Sequence, residues 1–194
     1  MNKAIFLDRD GTINVEKNYL YKSEDWEWIK GSLEAIKGFN LLGYLVIVVT
    51  NQAGVARGLY NCEDVECLHD YVSRLLKAAG AQIDDYYYCP HHPLYGEIRD
   101  CDCRKPKAGL LFKAQAERDI DLKSSYMIGD KASDILAGYG VGVTPILVTT
   151  GYGLGELGKV NEKTLIVDNI YQAYKLIKDR GRENEEIGCA DHQP

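Results

Sequence analysis

The sequence predicts an α/β fold, a doubly wound parallel sheet. Two observations carry the prediction. Short, almost wholly apolar runs alternate along the chain with segments whose apolar residues recur at helical spacing. The apolar runs also lack the in-out alternation of a half-exposed strand, so they are strands buried on both faces, as in a parallel sheet covered by helices.

Residues 3–7 are the first such strand, cut off at once by Asp8, Arg9 and Asp10. Residues 32–42 carry helical spacing, with Ser32 at the N-cap and Gly43 as the stop. Residues 44–49 are a second strand, and residues 63–79 a longer helix that ends at Gly80. A tyrosine-rich strand spans 85–88, a helix 110–118 and a strand 125–128; another helix begins at 133–137. Strands at 145–148 and 163–167 and a helix over 170–178 complete the alternation. Trp26 and Trp28 alternate, which points one ring inward. Residues 1–180 read as a single domain, and the polar, aperiodic residues 181–194 as a flexible tail.

Composition narrows the function classes. The 194 residues fit one domain with a sizeable core. A net charge of −6 disfavours a nucleic-acid surface but leaves room for a small anionic substrate held by a local basic cluster. No run approaches the roughly 18 apolar residues of a membrane span. The apolar stretch Ala4-Ile5-Phe6-Leu7 is too short for a signal peptide, so the cytoplasm is the expected compartment. Six cysteines there read as metal ligands or free thiols rather than disulfides. No long apolar face stands out, so a monomer is expected.

In doubly wound folds ligands bind beyond the carboxyl ends of the strands. There the sequence places Asp8-Arg9-Asp10-Gly11-Thr12, then Thr50-Asn51-Gln52, then Gly129-Asp130-Lys131, with the basic stretch Arg104-Lys105-Pro106-Lys107 before a helix. These residue types together suit phosphoryl transfer, which needs an in-line nucleophile, a cation and further donors for the charge. Asp8 can attack phosphorus and form an aspartyl-phosphate. Asp10 can protonate the leaving oxygen and then activate water. Asp8 and Asp130 can share one Mg²⁺. The Thr50 hydroxyl and the Lys105 ammonium suit the phosphoryl oxygens. A lone strand-end Asp is more often a turn former; the set of five is what points to a site. A receiver domain phosphorylated on aspartate would lack Asp10, and a catalytically dead scaffold would have no need of the full set.

Cys89 and His91, then Cys101 and Cys103, make C-x-H followed by C-x-C. Three thiolates and an imidazole are a tetrahedral zinc set, and with four protein ligands the zinc would be structural. It would pin the loop that aims Arg104 and Lys105. His92 is placed outside that shell, and His69, on a helix, reads as a surface residue. Cys62, Cys67, Cys189 and His192 have no partners in register.

FLDRDGTI, VVTNQ, the lysine of CRKPK and MIGDKASD resemble the four motifs of the haloacid dehalogenase superfamily of phosphatases, over residues 4–150. DRDGTIN, TNQAGVARG, CPHHP, CDCRKPKAG and GDKASD are similar to the branch that holds the heptose bisphosphate phosphatases and the histidinol-phosphate phosphatases. The second His of CPHHP and the Lys of GDK incline towards the heptose enzymes. The resemblance implies a small phosphorylated sugar as substrate, and a place in activated-heptose synthesis for lipopolysaccharide or glycoproteins. It implies Mg²⁺ on Asp8, the Asp10 backbone carbonyl and Asp130, with zinc on the cysteine loop. It places the substrate against the loop of Glu16, Lys17, Asn18 and Tyr19, the turn of Thr50, Asn51, Gln52 and Ala53, and Arg104 and Lys131, with Arg104 on a second phosphate. Arg57 lies in a further such loop. Asp134 orients Lys105 or a metal-bound water, or serves as a helix N-terminal carboxylate. The gaps between motifs leave no room for a cap domain, so the site is expected to be open.

Overall fold

The computed structural model describes residues 1–190, with side chains through Arg182. Six strands form one all-parallel sheet: β1 (Ala4–Leu7), β2 (Leu45–Asn51), β3 (Asp85–Cys89), β4 (Tyr126–Gly129), β5 (Thr144–Val148) and β6 (Leu165–Val167), in the order β3-β2-β1-β4-β5-β6. The helices are α1 (Ser32–Leu41), α2 (Cys62–Ala78), α3 (Gly109–Arg118), α4 (Ala132–Val141), α5 (Gly153–Glu156) and α6 (Ile170–Ala190). The expected doubly wound fold is thus present, and the chain reverses direction across the sheet between β1 and β4.

Alternate residues of each strand feed opposite cores. Ile5, Leu7, Val46, Val48, Ile128 and Ile146 pack with Ala35, Ile36 and Phe39 of α1, Val72 and Leu76 of α2, and Ile170 and Ala173 of α6. Ala4, Phe6, Ile47, Val49 and Met127 pack on the other face with Leu110, Leu111 and Ala114 of α3 and Ala137 of α4. Burial on both faces explains why the strands read as continuous apolar runs. Trp26 and Trp28 both lie against the first core, edge to face at 5.1 Å.

Three local details differ from expectation. Ser32 is not the cap of α1: Gly31, in the left-handed conformation at φ 88°, precedes the helix, and the Ser32 hydroxyl donates instead to Ile13 O at 2.8 Å. The final helix runs past Lys178 to Ala190. The stretch is polar, but its Arg and Glu residues favour helix by propensity, which the absence of apolar periodicity conceals. Residues 191–194 of the expected tail lie outside the described residues, and with them His192. A third difference is α5, which the glycine-rich run after β5 does not announce.

Between β1 and α1 the chain forms only a single 3-10 turn, Ser23–Asp25, and between β3 and α3 it forms no helix or strand. Neither gap holds an inserted domain, so the carboxyl edge of the sheet is left uncovered. No helix among the described residues is long and apolar enough to cross a membrane.

Candidate active site

The central strands end together at that edge. Asp8 follows β1, and its backbone N–H donates to Ile128 O at 2.9 Å, which continues the sheet and sets Asp8 beside the end of β4. Asp130 directly follows β4, and Thr50 is the penultimate residue of β2. All three are buried. Asp8 and Thr50 border a cleft of about 500 Å³ lined also by Asp10, Glu16, Asn18, Tyr19, Asn51, Gln52, Ala53, Arg104, Lys105 and Lys131. Every expected substrate residue lies there except Lys17, which is ion-paired with Glu27 at 3.0 Å.

Lys105 arrives from the loop before α3 and is buried among oxygens. Its Nζ lies 2.8 Å from Asp8 Oδ1, 2.7 Å from Asp134 Oδ1 and 2.5 Å from Val49 O. Burial pulls its pKa down, but the charges of Asp134 and Asp8 outweigh that and raise it, so Lys105 is a fixed cation. The Asn51 side chain holds its backbone in a reciprocal pair: Lys105 N–H donates to Oδ1 at 3.1 Å, and Nδ2 donates to Lys105 O at 3.0 Å. Asp134 thus does two of the things its position allowed. One carboxylate oxygen pairs with Lys105, and the other accepts from Lys131 N–H at 3.0 Å as a helix N-terminal carboxylate. Burial lifts its pKa to about 6, against the pull of Lys105.

Asp8, Asp130 and Asp134 each offer an oxygen, all within 4.8 Å of one another. Asp130 Oδ2 accepts from Tyr152 N–H at 2.8 Å, while Oδ1 is buried with no hydrogen-bond partner. Burial and then the charge of Asp8 push Asp130 up to about 8. An orphaned carboxylate oxygen beside a second carboxylate is a fitting place for a small hard cation such as Mg²⁺. Two glycines make the room. A Cβ on Gly11 (φ 84°) or on Gly151 (φ 55°) would stand 2.2 Å from Asp130 Oδ2.

Asp10 faces the cleft with its carboxyl fully engaged. Oδ1 accepts from Arg9 Nε at 3.3 Å and Asn14 Nδ2 at 3.0 Å; Oδ2 accepts from Arg9 Nη2 at 2.9 Å and Gln52 Nε2 at 3.0 Å. Burial works to raise its pKa, but the Arg9 charge and these donors carry it below the ordinary carboxylate value. Gln52 Nε2 also donates to Thr50 Oγ1 at 2.9 Å, and Gln52 Oε1 accepts from Tyr60 OH at 2.7 Å. Gln52 is therefore buried and committed to neighbours, and the Thr50 hydroxyl proton is left to point into the cleft.

The rim is built from both sides. Lys131 Nζ lies 3.5 Å from Glu16 and 4.5 Å from the Tyr152 ring centre, and the Tyr152 hydroxyl donates to Asn18 Oδ1 at 3.2 Å. Burial opposes the Lys131 charge, but Asp8, Asp130 and Glu16 raise its pKa. Asn18 (φ 53°) and Tyr19 (φ 65°) are both left-handed, a strained pair at the cleft. Arg57 lies 5.6 Å from the Tyr19 ring centre, 4.0 Å from the Tyr95 ring centre and 3.5 Å from His92 Nε2.

The cysteine loop brings its four expected residues together. Cys89 Sγ is 3.7 Å from Cys101 Sγ and 3.0 Å from Cys103 Sγ, and Cys103 Sγ is 3.3 Å from His91 Nδ1. The four donor atoms lie within 4.8 Å of one another, and three sulfurs with one imidazole suit zinc. Arg104 Nη1 donates to His91 O at 3.0 Å, so this cluster and the cleft share a joint.

Sequence reasoning missed Arg9, Asn14, Tyr60, Ser133 and Tyr152, and misplaced His69. His69 is buried rather than a surface residue, because its face of α2 lies against Tyr86 and Arg9. Tyr152 could have been found, since it follows β5 as the other site residues follow their strands. For Tyr60, the sequence offers no signal.

A family model described as "HAD-hyrolase-like" matches residues 102–173. A D-glycero-beta-D-manno-heptose-1,7-bisphosphate 7-phosphatase of Pasteurella multocida is 42% identical over 181 residues, 92% of this chain and 98% of the relative. A D-glycero-alpha-D-manno-heptose-1,7-bisphosphate 7-phosphatase of Photorhabdus laumondii is also 42% identical, over 91% of this chain and 97% of the relative. The crystal structure of the D,D-heptose 1,7-bisphosphate phosphatase of B. bronchiseptica, complexed with magnesium and phosphate, superposes with a TM-score of 0.83 at 31% identity, covering 92% of this chain and 99% of that one. The chain belongs to the family of D-glycero-D-manno-heptose-1,7-bisphosphate 7-phosphatases, among the haloacid dehalogenase-like hydrolases.

Proposed function

We propose that this protein is a Mg²⁺-dependent phosphatase that removes the 7-phosphate from D-glycero-D-manno-heptose 1,7-bisphosphate through an aspartyl-phosphate on Asp8. The product is heptose 1-phosphate, for activated-heptose synthesis in lipopolysaccharide or glycoprotein assembly. The observation that carries the reading is the buried cluster of Asp8, Lys105 and Asp130 at the open sheet edge, with an Asp130 oxygen left unpartnered and oxygens of Asp8, Asp130 and Asp134 within 4.8 Å of one another.

An Asp8 oxygen attacks phosphorus in line while the bond to the sugar O7 breaks. Asp10, ionised among its donors in the free site, takes up a proton as the substrate binds and delivers it to O7 as it leaves. Water then attacks the aspartyl-phosphate, Asp10 takes its proton, and inorganic phosphate departs from a restored Asp8. Thr50 donates its hydroxyl to the phosphoryl oxygens, and Lys105 holds Asp8 in line and balances their charge. Asp8, the Asp10 carbonyl and Asp130 are the groups that would hold Mg²⁺, which when bound neutralises phosphoryl oxygens. Glu16, Asn18, Tyr19, Asn51, Gln52, Ala53 and Lys131 border the sugar, with Lys17 at the loop's outer side. The Arg104 fork suits the second, non-reacting phosphate.

Cys89, His91, Cys101 and Cys103 are read as a structural zinc site. By pinning the His91 carbonyl, it steadies Arg104. Residues 1–180 act as one domain, as a cytoplasmic monomer.

Phosphate release with Mg²⁺ from both anomers of the bisphosphate, beside histidinol phosphate, is the test. Relatives named for the β and the α anomer match at the same 42% identity, so both anomers are assayed. Turnover of a bisphosphate anomer to the 1-phosphate is expected. Turnover of histidinol phosphate alone would sink the substrate reading while leaving the chemistry.

A further inference from the structure

The mechanism above leaves one buried imidazole unused. His69 sits on α2, stacked on Tyr86 with 4.3 Å between ring centres and edge-on to Tyr88 at 6.0 Å. Its Nε2 lies 3.4 Å from Arg9 Nη1. A guanidinium only donates, so Nε2 is the lone-pair nitrogen and the ring is neutral. Burial and the Arg9 charge agree, pushing His69 down to about 3.

The other end of Arg9 grips the Asp10 carboxyl. Nε reaches Oδ1 at 3.3 Å, and Nη2 reaches Oδ1 at 3.2 Å and Oδ2 at 2.9 Å. Nη2 is also 2.8 Å from Leu20 O and 3.2 Å from Gln52 Oε1. Among the described residues, His69 is the one acceptor recorded for Nη1. Because the guanidinium is planar and rigid, holding Nη1 fixes the plane of the whole fork. Arg9 is itself 1% exposed, so no water competes for that donor.

We propose that His69 is a positioning residue for the reaction: it accepts from Arg9 Nη1, and so locks the guanidinium that aims Asp10 at the leaving oxygen. The proposal rests on Asp10 being the general acid. Its consequence is specific to the leaving group. A sugar alkoxide is a poor leaving group and needs the proton from Asp10. An activated aryl phosphate such as p-nitrophenyl phosphate leaves as a stable phenolate and needs it far less.

His69→Phe keeps the stack on Tyr86 and removes the acceptor. His69→Gln keeps an acceptor near the Nε2 position. His69→Leu removes both and covers the case in which the phenylalanine variant does not fold. For each, kcat and KM are measured on the heptose bisphosphate and on p-nitrophenyl phosphate, with Asp10→Asn in parallel. In His69→Phe or His69→Leu, kcat on the sugar substrate is expected to fall at least about 10-fold with KM little changed. The same variant is expected to lose less than about 3-fold on the aryl phosphate, and His69→Gln to recover most of the sugar activity. Equal losses on both substrates would mean a merely structural role and overturn the proposal, as would no loss on either. The parallel variant separates the two layers. If Asp10→Asn discriminates between the substrates and His69→Phe does not, this inference fails alone. If Asp10→Asn does not discriminate, the general-acid reading fails and takes this one with it.

Discussion

Lys105 Nζ and Asp8 Oδ1 stand 2.8 Å apart, between side chains 1% and 7% exposed and 97 residues distant in sequence. The pair is a charge triad with Asp134 rather than an isolated bridge. The carboxylates of Asp134 and Asp8 hold the Lys105 ammonium charged in a place where burial alone would favour its neutral form.

Lys105→Met leaves two carboxylates buried without their cation. Removing one partner of a buried pair costs about 3–5 kcal/mol, so chemical denaturation should show a loss of that order, together with a large fall in kcat. An unchanged unfolding midpoint would mean that the triad carries no stability.

Asp8→Asn removes the carboxylate proposed as nucleophile and keeps the shape. Turnover of the bisphosphate should fall to background while thermal unfolding and far-ultraviolet circular dichroism stay those of the parent. A variant that still turns over would exclude the covalent route.

The charge of Asp8 helps push Asp130 up, and a bound cation should relieve that repulsion. Mg²⁺ should raise the unfolding temperature, with stabilisation of about 2.7 kcal/mol at one hundred times the dissociation constant. In Asp130→Ala the orphaned oxygen is gone, and the magnesium-dependent shift should vanish in a thermal scan.

Cys101→Ala breaks the four-ligand cluster. The purified parent should carry one zinc per chain by elemental analysis, and the variant none. Through the Arg104–His91 joint, the variant should also show a raised KM for the bisphosphate. Unchanged metal content would remove the zinc reading.

His69 makes a contribution to acid stability whose sign is fixed. Its folded pKa, about 3, lies below the ordinary 6.5, so between those values the unfolded chain binds more protons than the folded one. Stability is therefore lost as pH falls from 6.5 towards 3, with a slope of up to about 1.4 kcal/mol per pH unit from this group. Denaturant titrations across that range should show a shallower loss for His69→Gln than for the parent. Parallel curves would refute the assignment.

Much of this was legible because parallel sheets leave a simple trace. Strands such as Leu45–Asn51 are buried on both faces, so each reads as an apolar run whose polar end marks the active edge. That is why Asp8, Thr50 and Asp130 could be gathered without coordinates. Arg9 could not be placed, because its burial depends on His69, Leu20 and Gln52, which only the tertiary fold brings to it. Ser32 illustrates a weaker rule overridden: a good cap residue found a better acceptor in Ile13 O and yielded the cap position to Gly31. Helix α6 outran its expected end because propensity can extend a helix where periodicity is silent.

The adjacency of β1 and β4 has a bearing on how the protein is made. Leu7 lies opposite Ile128 across the ladder, so the two carboxylates that follow these strands become neighbours only when a segment more than a hundred residues downstream has docked. A ribosome that has released β1, β2 and β3 has delivered Asp8 and the Thr50 hydroxyl, but not Asp130 beside them. On the proposed mechanism, hydrolysis by the nascent chain waits for the fourth strand to dock beside the first.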